Sequence, residues 1–184
     1  MAVQDDGQFV TLGIEREVFA VPVEAVIEIL DMQEVFRLPE APAYLAGLID
    51  VRGRAVPVID LRVKLGLRPA ETTPSTRILV LEVPFAERRL TLGLITDRVF
   101  EVTSFAAGQV EPPPDIGLRW RSEYIQGVGR NDKGFVIVFD LTQLFSAEEA
   151  AYLGAKAQAG GTPVSDASAQ YGAATQVPSS SDLA

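Results

Sequence analysis

The chain has 184 residues, of which 47% are hydrophobic, enough to bury a core shared by one or two small domains. It has no Cys and no His, which excludes a disulfide scaffold and thiolate metal sites and removes the commonest metal ligand and general base. The formal charge of −9 repels polyphosphate and anionic lipid. That argues against nucleic-acid or membrane-surface binding and points to protein partners.

Residues 1–8 are polar and are expected to be disordered. No positively charged start precedes an apolar run there, and no segment approaches the ~20 apolar residues that span a bilayer, so the expected address is the cytoplasm without direct membrane insertion. Phe9 to Ile14 and Glu17 to Pro22 read as strands around a Glu15-Arg16 turn. Val23 to Val26 reads as a helical turn running into a strand. Leu38-Pro39-Glu40-Ala41-Pro42 is a loop, because its prolines suit neither ladder nor helix.

Leu45 to Val51 and Arg54 to Leu61 form a hairpin, with Gly53 supplying the positive φ of a tight turn. Pro57 would break a central ladder, so the second strand is expected at an edge or at a bulge. A helical turn ending at Gly66 and a Pro- and Thr-rich linker, Arg68 to Ser75, mark the expected boundary between modules. Arg77 to Pro84 and Arg89 to Ile95 form the next hairpin. Thr103 to Glu123 is a long connector holding Pro112-Pro113-Pro114, and Tyr124 to Leu141 forms the last hairpin. Thr142 to Leu153 is a helix candidate packing by Leu144, Phe145, Tyr152 and Leu153, with Ser146 and Glu149 spaced as a capping box. From Gly154 onward small and polar residues predict a disordered tail.

The chain repeats itself. At a spacing of 80, Tyr44, Gly47, Val58, Asp60 and Leu61 match Tyr124, Gly127, Val138, Asp140 and Leu141. At a spacing of 73, Phe19, Val21, Val26, Glu28 and Ile29 match Leu92, Leu94, Val99, Glu101 and Val102. The expected architecture is mostly β: two small antiparallel barrels packed together, the first about 9–68, the second about 76–145, then a helix about 146–153. The seam between them would be a second hydrophobic core and its rim a groove.

An ordered set of motifs resembles the CheW family of chemotaxis coupling proteins. These are Phe9-x-x-Leu12-Gly13, Val26-x-Glu28-Ile29, Leu38-Pro39-x-x-Pro42-x-Tyr44-x-x-Gly47, Val51-Arg52-Gly53, Val56-Pro57-x-x-Asp60-Leu61-Arg62, Gly93-x-x-x-Asp97-x-Val99, Tyr124-x-x-Gly127 and Asp140-Leu141. The resemblance covers about residues 9–153. It implies two SH3-like five-stranded barrels and an adaptor joining the cytoplasmic tip of a chemoreceptor to the regulatory domain of a histidine kinase, with no cofactor, metal or catalytic residue. Receptor contact would fall on Val26, Glu28, Gly47, Arg52 and Val102, and kinase contact would include Val110, Glu111, Asp115 and Ile116. Two positions depart from the family's common pattern: Asp50 stands where Asn is usual, and Glu111 where a basic residue occurs. The chain does not end in the aromatic-acidic pentapeptide of some receptors, and it lacks the length for a fused receiver domain.

Each residue also has a purely structural reading. Arg52 is then a turn cation paired with Asp50, worth little at a surface. Glu28 and Glu101 are equivalent by duplication, which explains them without a catalytic pair. Asp60 and Asp140 fix backbone at strand ends. Val26, Ile29 and Val102 are core unless they line the groove. Gly47 and Gly127 mark a bulge or close backbone approach. The triple proline stiffens a loop, which also lowers the entropy lost on docking. The competing functional class is a small-ligand module using the inter-barrel groove.

Overall fold

A computed structural model describes residues 7–85, 87–106, 108–113 and 122–160. Ten strands dominate: β1 (Gln8–Ile14), β2 (Glu17–Pro22), β3 (Val26–Asp31), β4 (Leu45–Val51), β5 (Arg54–Asp60), β6 (Arg77–Phe85), β7 (Arg88–Thr96), β8 (Arg98–Ser104), β9 (Ile125–Asn131) and β10 (Gly134–Phe139). The helices are α1 (Leu61–Lys64) and α2 (Ala147–Gly160), with 3-10 turns at Val23–Ala25 and Ser122–Tyr124. The strands form two five-stranded sheets, ordered β8-β1-β2-β10-β9 and β3-β6-β7-β5-β4. Together they make the two SH3-like subdomains.

Each sheet draws strands from both halves of the chain, so the subdomains are not the contiguous segments 9–68 and 76–145. The β1–β2 hairpin joins β8, β9 and β10, while the β6–β7 hairpin joins β3, β4 and β5. Exchange of the leading hairpins leaves the sequence repeat intact, because a repeat records which segments are alike and not which pair. The chain changes sheet at Val23–Ala25 after β2 and at Asp97 after β7. The linker at Arg68 to Ser75 connects two strands of the same sheet.

The repeat is visible in the pairing register. Val58 lies opposite Gly93 in the parallel β5–β7 pair, and Val138 lies opposite Ala20 in the parallel β10–β2 pair. The short bridges Phe36 to Leu48 and Glu111 to Val128 are likewise equivalent. Pro57 sits in β5, an interior strand, opposite Leu48 and without a bulge there. The parallel ladder to β7 begins only at Val58, so the proline falls where that ladder ends.

Alternate residues of the central strands serve different cores. Ala20, Val136 and Val138, with Phe9 and Phe105, fill the curl of the first sheet, and Ile49, Val56, Val58, Ile78 and Val80 fill that of the second. The opposite faces meet in the largest cluster, which includes Leu12, Phe19, Ile59, Leu79, Leu92, Leu94 and Phe139. Phe19 and Phe139 stack there with centroids 4.8 Å apart. The seam is therefore the main core, solid and shared, and burial on both faces explains the continuous apolar runs.

α2 starts where the Ser146 cap predicts. Ser146 Oγ accepts from Glu149 N at 3.1 Å, and Ser146 N donates to the Glu149 carboxylate at 3.0 Å. Leu144 and Phe145 are buried but precede the helix, in turns after β10. The helix runs on to Gly160, past the expected end at Leu153. Alanines at 155, 157 and 159 favour helix despite their small size. The rest of the expected tail lies outside the described residues.

Candidate binding face

The β4–β5 turn places Arg52 and Gly53 at φ of 53° and 82°, the two positive values of a tight hairpin turn. Asp50 Oδ1 accepts from Gly53 N at 2.7 Å, so this carboxylate holds the turn and is not the partner of Arg52. Arg52 Nη2 instead reaches Glu28 Oε2 on β3 at 3.4 Å. β3 and β4 are the two edges of the second sheet, and the pair spans them where the sheet curls closed. The Arg52 side chain is 83% exposed and that of Glu28 only 21%, so the guanidinium presents its remaining donors to solvent.

The neighbours of Glu28 on β3, Ile27 and Ile29, are 51% and 45% exposed. On β8, their equivalents Phe100 and Val102 are also exposed, and Glu101 lies 3.4 Å from Lys133 of the β9–β10 turn. Ile29 and Val102 are thus surface residues, contrary to their default reading as core, because edge strands leave one face uncovered. Val26 is half-buried against the seam. Ile27 and Phe100 were missed. Their signal is alternation with Val26, Glu28, Val99 and Glu101 along strands whose partners lie on one side only.

Gly47 is buried, with φ +148°, and a Cβ there would lie 2.2 Å from the Phe36 carbonyl oxygen. Gly127 is crowded in the same way by Val110 Cγ1 at 2.6 Å and Glu111 O at 2.7 Å. Both sit beside a register shift, matching the bulge and close approach expected of them. Val110 is half-buried and packs into the core of the first sheet. Glu111 is exposed and bridges to Val128 through its backbone. Asp115, Ile116 and Pro114 lie outside the described residues.

Two charged clusters involve residues of α1. Arg62 Nε and Nη2 donate to both oxygens of Asp97 at 2.7 and 2.6 Å, and Glu15 N donates to Asp97 Oδ2 at 2.7 Å. The cluster thus ties the β1–β2 turn, the β7–β8 crossover and α1 together. Burial opposes the Asp97 charge, but these donors outweigh it and hold its carboxyl below the ordinary range. Asp60 accepts from Arg62 N and Val63 N, and Asp140 from Thr142 N, so both fix backbone as expected. Burial pushes the Asp60 carboxyl upward despite those N–H groups and Arg62.

The second cluster docks α2. Lys64 Nζ is 2.7 and 2.9 Å from the Glu149 oxygens, and its side chain is only 5% exposed. It lies 4.8, 5.5 and 5.1 Å from the ring centroids of Tyr44, Tyr124 and Phe145. Burial, with the Glu149 carboxylate beside it, pushes the Tyr44 phenol up to about 12.

No group of three or more acidic side chains among the described residues is placed to hold a metal. Glu28 and Glu101 lie in different sheets, each beside its own cation, and do not form a catalytic pair. No helix among the described residues is long and apolar enough to cross a membrane. The chemistry available is non-covalent: an exposed guanidinium at the β4–β5 turn and exposed apolar side chains on the edge strands β3 and β8.

A family model described as "CheW-like domain" matches residues 8–149. The "Chemotaxis protein CheW" of Treponema pallidum is 33% identical over 150 residues, covering 81% of this chain and 88% of that protein. The "Probable chemotaxis protein CheW" of Rhizobium etli is 31% identical, covering 79% and 92%. The solved scaffolding protein TtCheW from Thermoanaerobacter tengcongensis superposes with a TM-score of 0.70 at 25% identity, covering 81% of this chain and 95% of that one.

Proposed function

The chain belongs to the CheW-like domain family, a family of chemotaxis scaffolds, and from that membership we propose that it couples the cytoplasmic tip of a chemoreceptor to the regulatory domain of a histidine kinase. In this reading it works in the cytoplasm, is recruited to receptor arrays by its partners, and catalyses nothing. The observation that carries the receptor half is the exposed Arg52 guanidinium held by Glu28 of β3, an edge strand that also exposes Ile27 and Ile29. An arginine with free donors beside apolar side chains suits a helical hairpin with a carboxylate near an apolar stripe. Val102 extends the contact onto the other sheet, while Val26 and Gly47 support it from beneath.

For the kinase, the proposed contact includes Val110, Glu111, Asp115 and Ile116, of which Glu111 is bridged to Val128 and Val110 packs into the core of the first sheet. Interfaces of ~1,000 to 1,600 Å² each give transient affinity, which an array strengthens through avidity.

The test is a calorimetric titration with a receptor tip and with a kinase regulatory domain from the same genome, each alone and then in the presence of the other. Saturable binding to both, each tolerating the other, is the expected result. Binding to neither overturns the adaptor reading and turns attention to small ligands at the rim of the seam.

A further inference from the structure

A depression in the surface adjoins the β4–β5 turn on its α2 side and plays no part in the functional reading above. It measures about 1030 Å³ and runs between α2 and the tips of the β4–β5 and β6–β7 hairpins. Its hairpin side carries Phe85 and Leu90 with Arg54, Arg88 and Arg89, and Glu87 is the one lining carboxylate. In a chain of net charge −9 this is a local reversal of sign. Arg89 meets Glu82 at 3.1 Å, whereas Arg54 and Arg88 make no ion pair among the described residues.

The opposite wall is the outer side of α2, where Ala151, Gly154 and Ala155 line the space. A Cβ at Gly154 would meet nothing within 4 Å, so the wall is open there. Small side chains let a second helix approach to the lower end of the ~8–10 Å interaxial range. Two turns of a helix ~10 Å across, at ~5.4 Å per turn, occupy roughly 850 Å³. That volume fits the depression.

We propose that this cleft is a docking site for an acidic amphipathic helix of a partner protein. The helix lays small and apolar residues against α2, Phe85 and Leu90, and directs carboxylates at Arg54 and Arg88. Charge selects the occupant: a basic or neutral helix faces three guanidinium groups and one carboxylate. Lys64 and Glu149 hold the α2 wall in place from its other side, so the cleft exists before the partner arrives.

The test uses the full chain, isotope-labelled, titrated with a capped helical peptide of Glu-Ala-Ala-Leu repeats. Its Lys-Ala-Ala-Leu counterpart and inorganic tripolyphosphate are the controls. The expected result is saturable movement of the amide resonances of Arg54, Arg88 and Gly154 with the acidic peptide alone. Arg54→Glu with Arg88→Glu, and separately Ala155→Trp, should each weaken it about tenfold or more, a shift of ~1.4 kcal/mol, with an unchanged melting temperature. No movement, equal movement with the basic peptide, or movement reproduced by tripolyphosphate overturns the proposal. So does a chain that dimerises alone through a face that Ala155→Trp disrupts, since the occupant would then be a second copy.

Discussion

Two arginine–carboxylate pairs, ten residues apart in sequence on their arginine side, illustrate opposite uses of the same chemistry. Arg62 grips Asp97 with two short bonds, and both side chains are about four-fifths covered. Arg52 touches Glu28 once at 3.4 Å and stands almost wholly in solvent. The first pair fastens the crossover between the exchanged hairpins, where losing a partner strands a charge. The second contributes little to folding and keeps donors free for another molecule. Position relative to the seam, not residue type, separates an arginine committed to the fold from one whose donors stay open to solvent.

The sharpest way to break that division is at Gly47, a residue on the receptor list that the structure places on the folding side. Gly47→Ala combines a strained φ with overlap on the Phe36 carbonyl and should cost about 3 kcal/mol or more, read by urea unfolding. Any receptor-binding defect should then track the unfolded fraction. A stable Gly47→Ala protein that fails to bind would move Gly47 to the recognition side.

Next in size is Arg62→Ala. Discounted for its partial exposure, loss of the paired bonds to Asp97 should cost about 2 kcal/mol and lower Tm by roughly 4–8 °C. Acid supplies a gentler version of the same break. Because the folded-state pKa of Asp97 is depressed, its contribution is present above the ordinary carboxylate pKa and is lost as pH falls through the folded-state value. Asp60 works in the opposite sense: its raised pKa favours the fold at low pH, and that contribution is lost as pH rises through the folded-state value. Asp97→Asn should therefore be less stable at neutral pH and lose less on acidification, as measured by urea midpoints across the carboxylate range.

The smallest stability effect belongs to Arg52→Glu, within about 0.5 kcal/mol of wild type. Lys133→Glu, at the equivalent turn, should also leave the fold intact. Comparing the two variants against the receptor tip would show whether duplication kept one recognition face or two.

Much of this was legible in the sequence, and the failures have physical causes. The strands, the turn at Arg52-Gly53 and the Ser146 cap depend on residues close in sequence, so local periodicity and turn chemistry located them. The repeat correctly paired Gly47 with Gly127, Asp60 with Asp140 and Glu28 with Glu101. It could not reveal that the β1–β2 and β6–β7 hairpins trade places, because pairing partners are a tertiary choice. That choice made β5 an interior strand despite Pro57. For the same reason Ile29 and Val102 read as core: β-branched residues look alike whether a strand is central or at an edge. The partner of Arg52 was misassigned to Asp50, its sequence neighbour, whereas the closing of the sheet brings Glu28 to it from 24 residues away.

The most direct test of the central division measures receptor-tip affinity by calorimetry for the wild type and Arg52→Glu, with melting curves recorded on the same samples. Superimposable melting curves with affinity reduced about tenfold, ~1.4 kcal/mol, are predicted. Unchanged affinity would contradict the assignment of Arg52 to recognition, and a lowered Tm would contradict its independence from the fold.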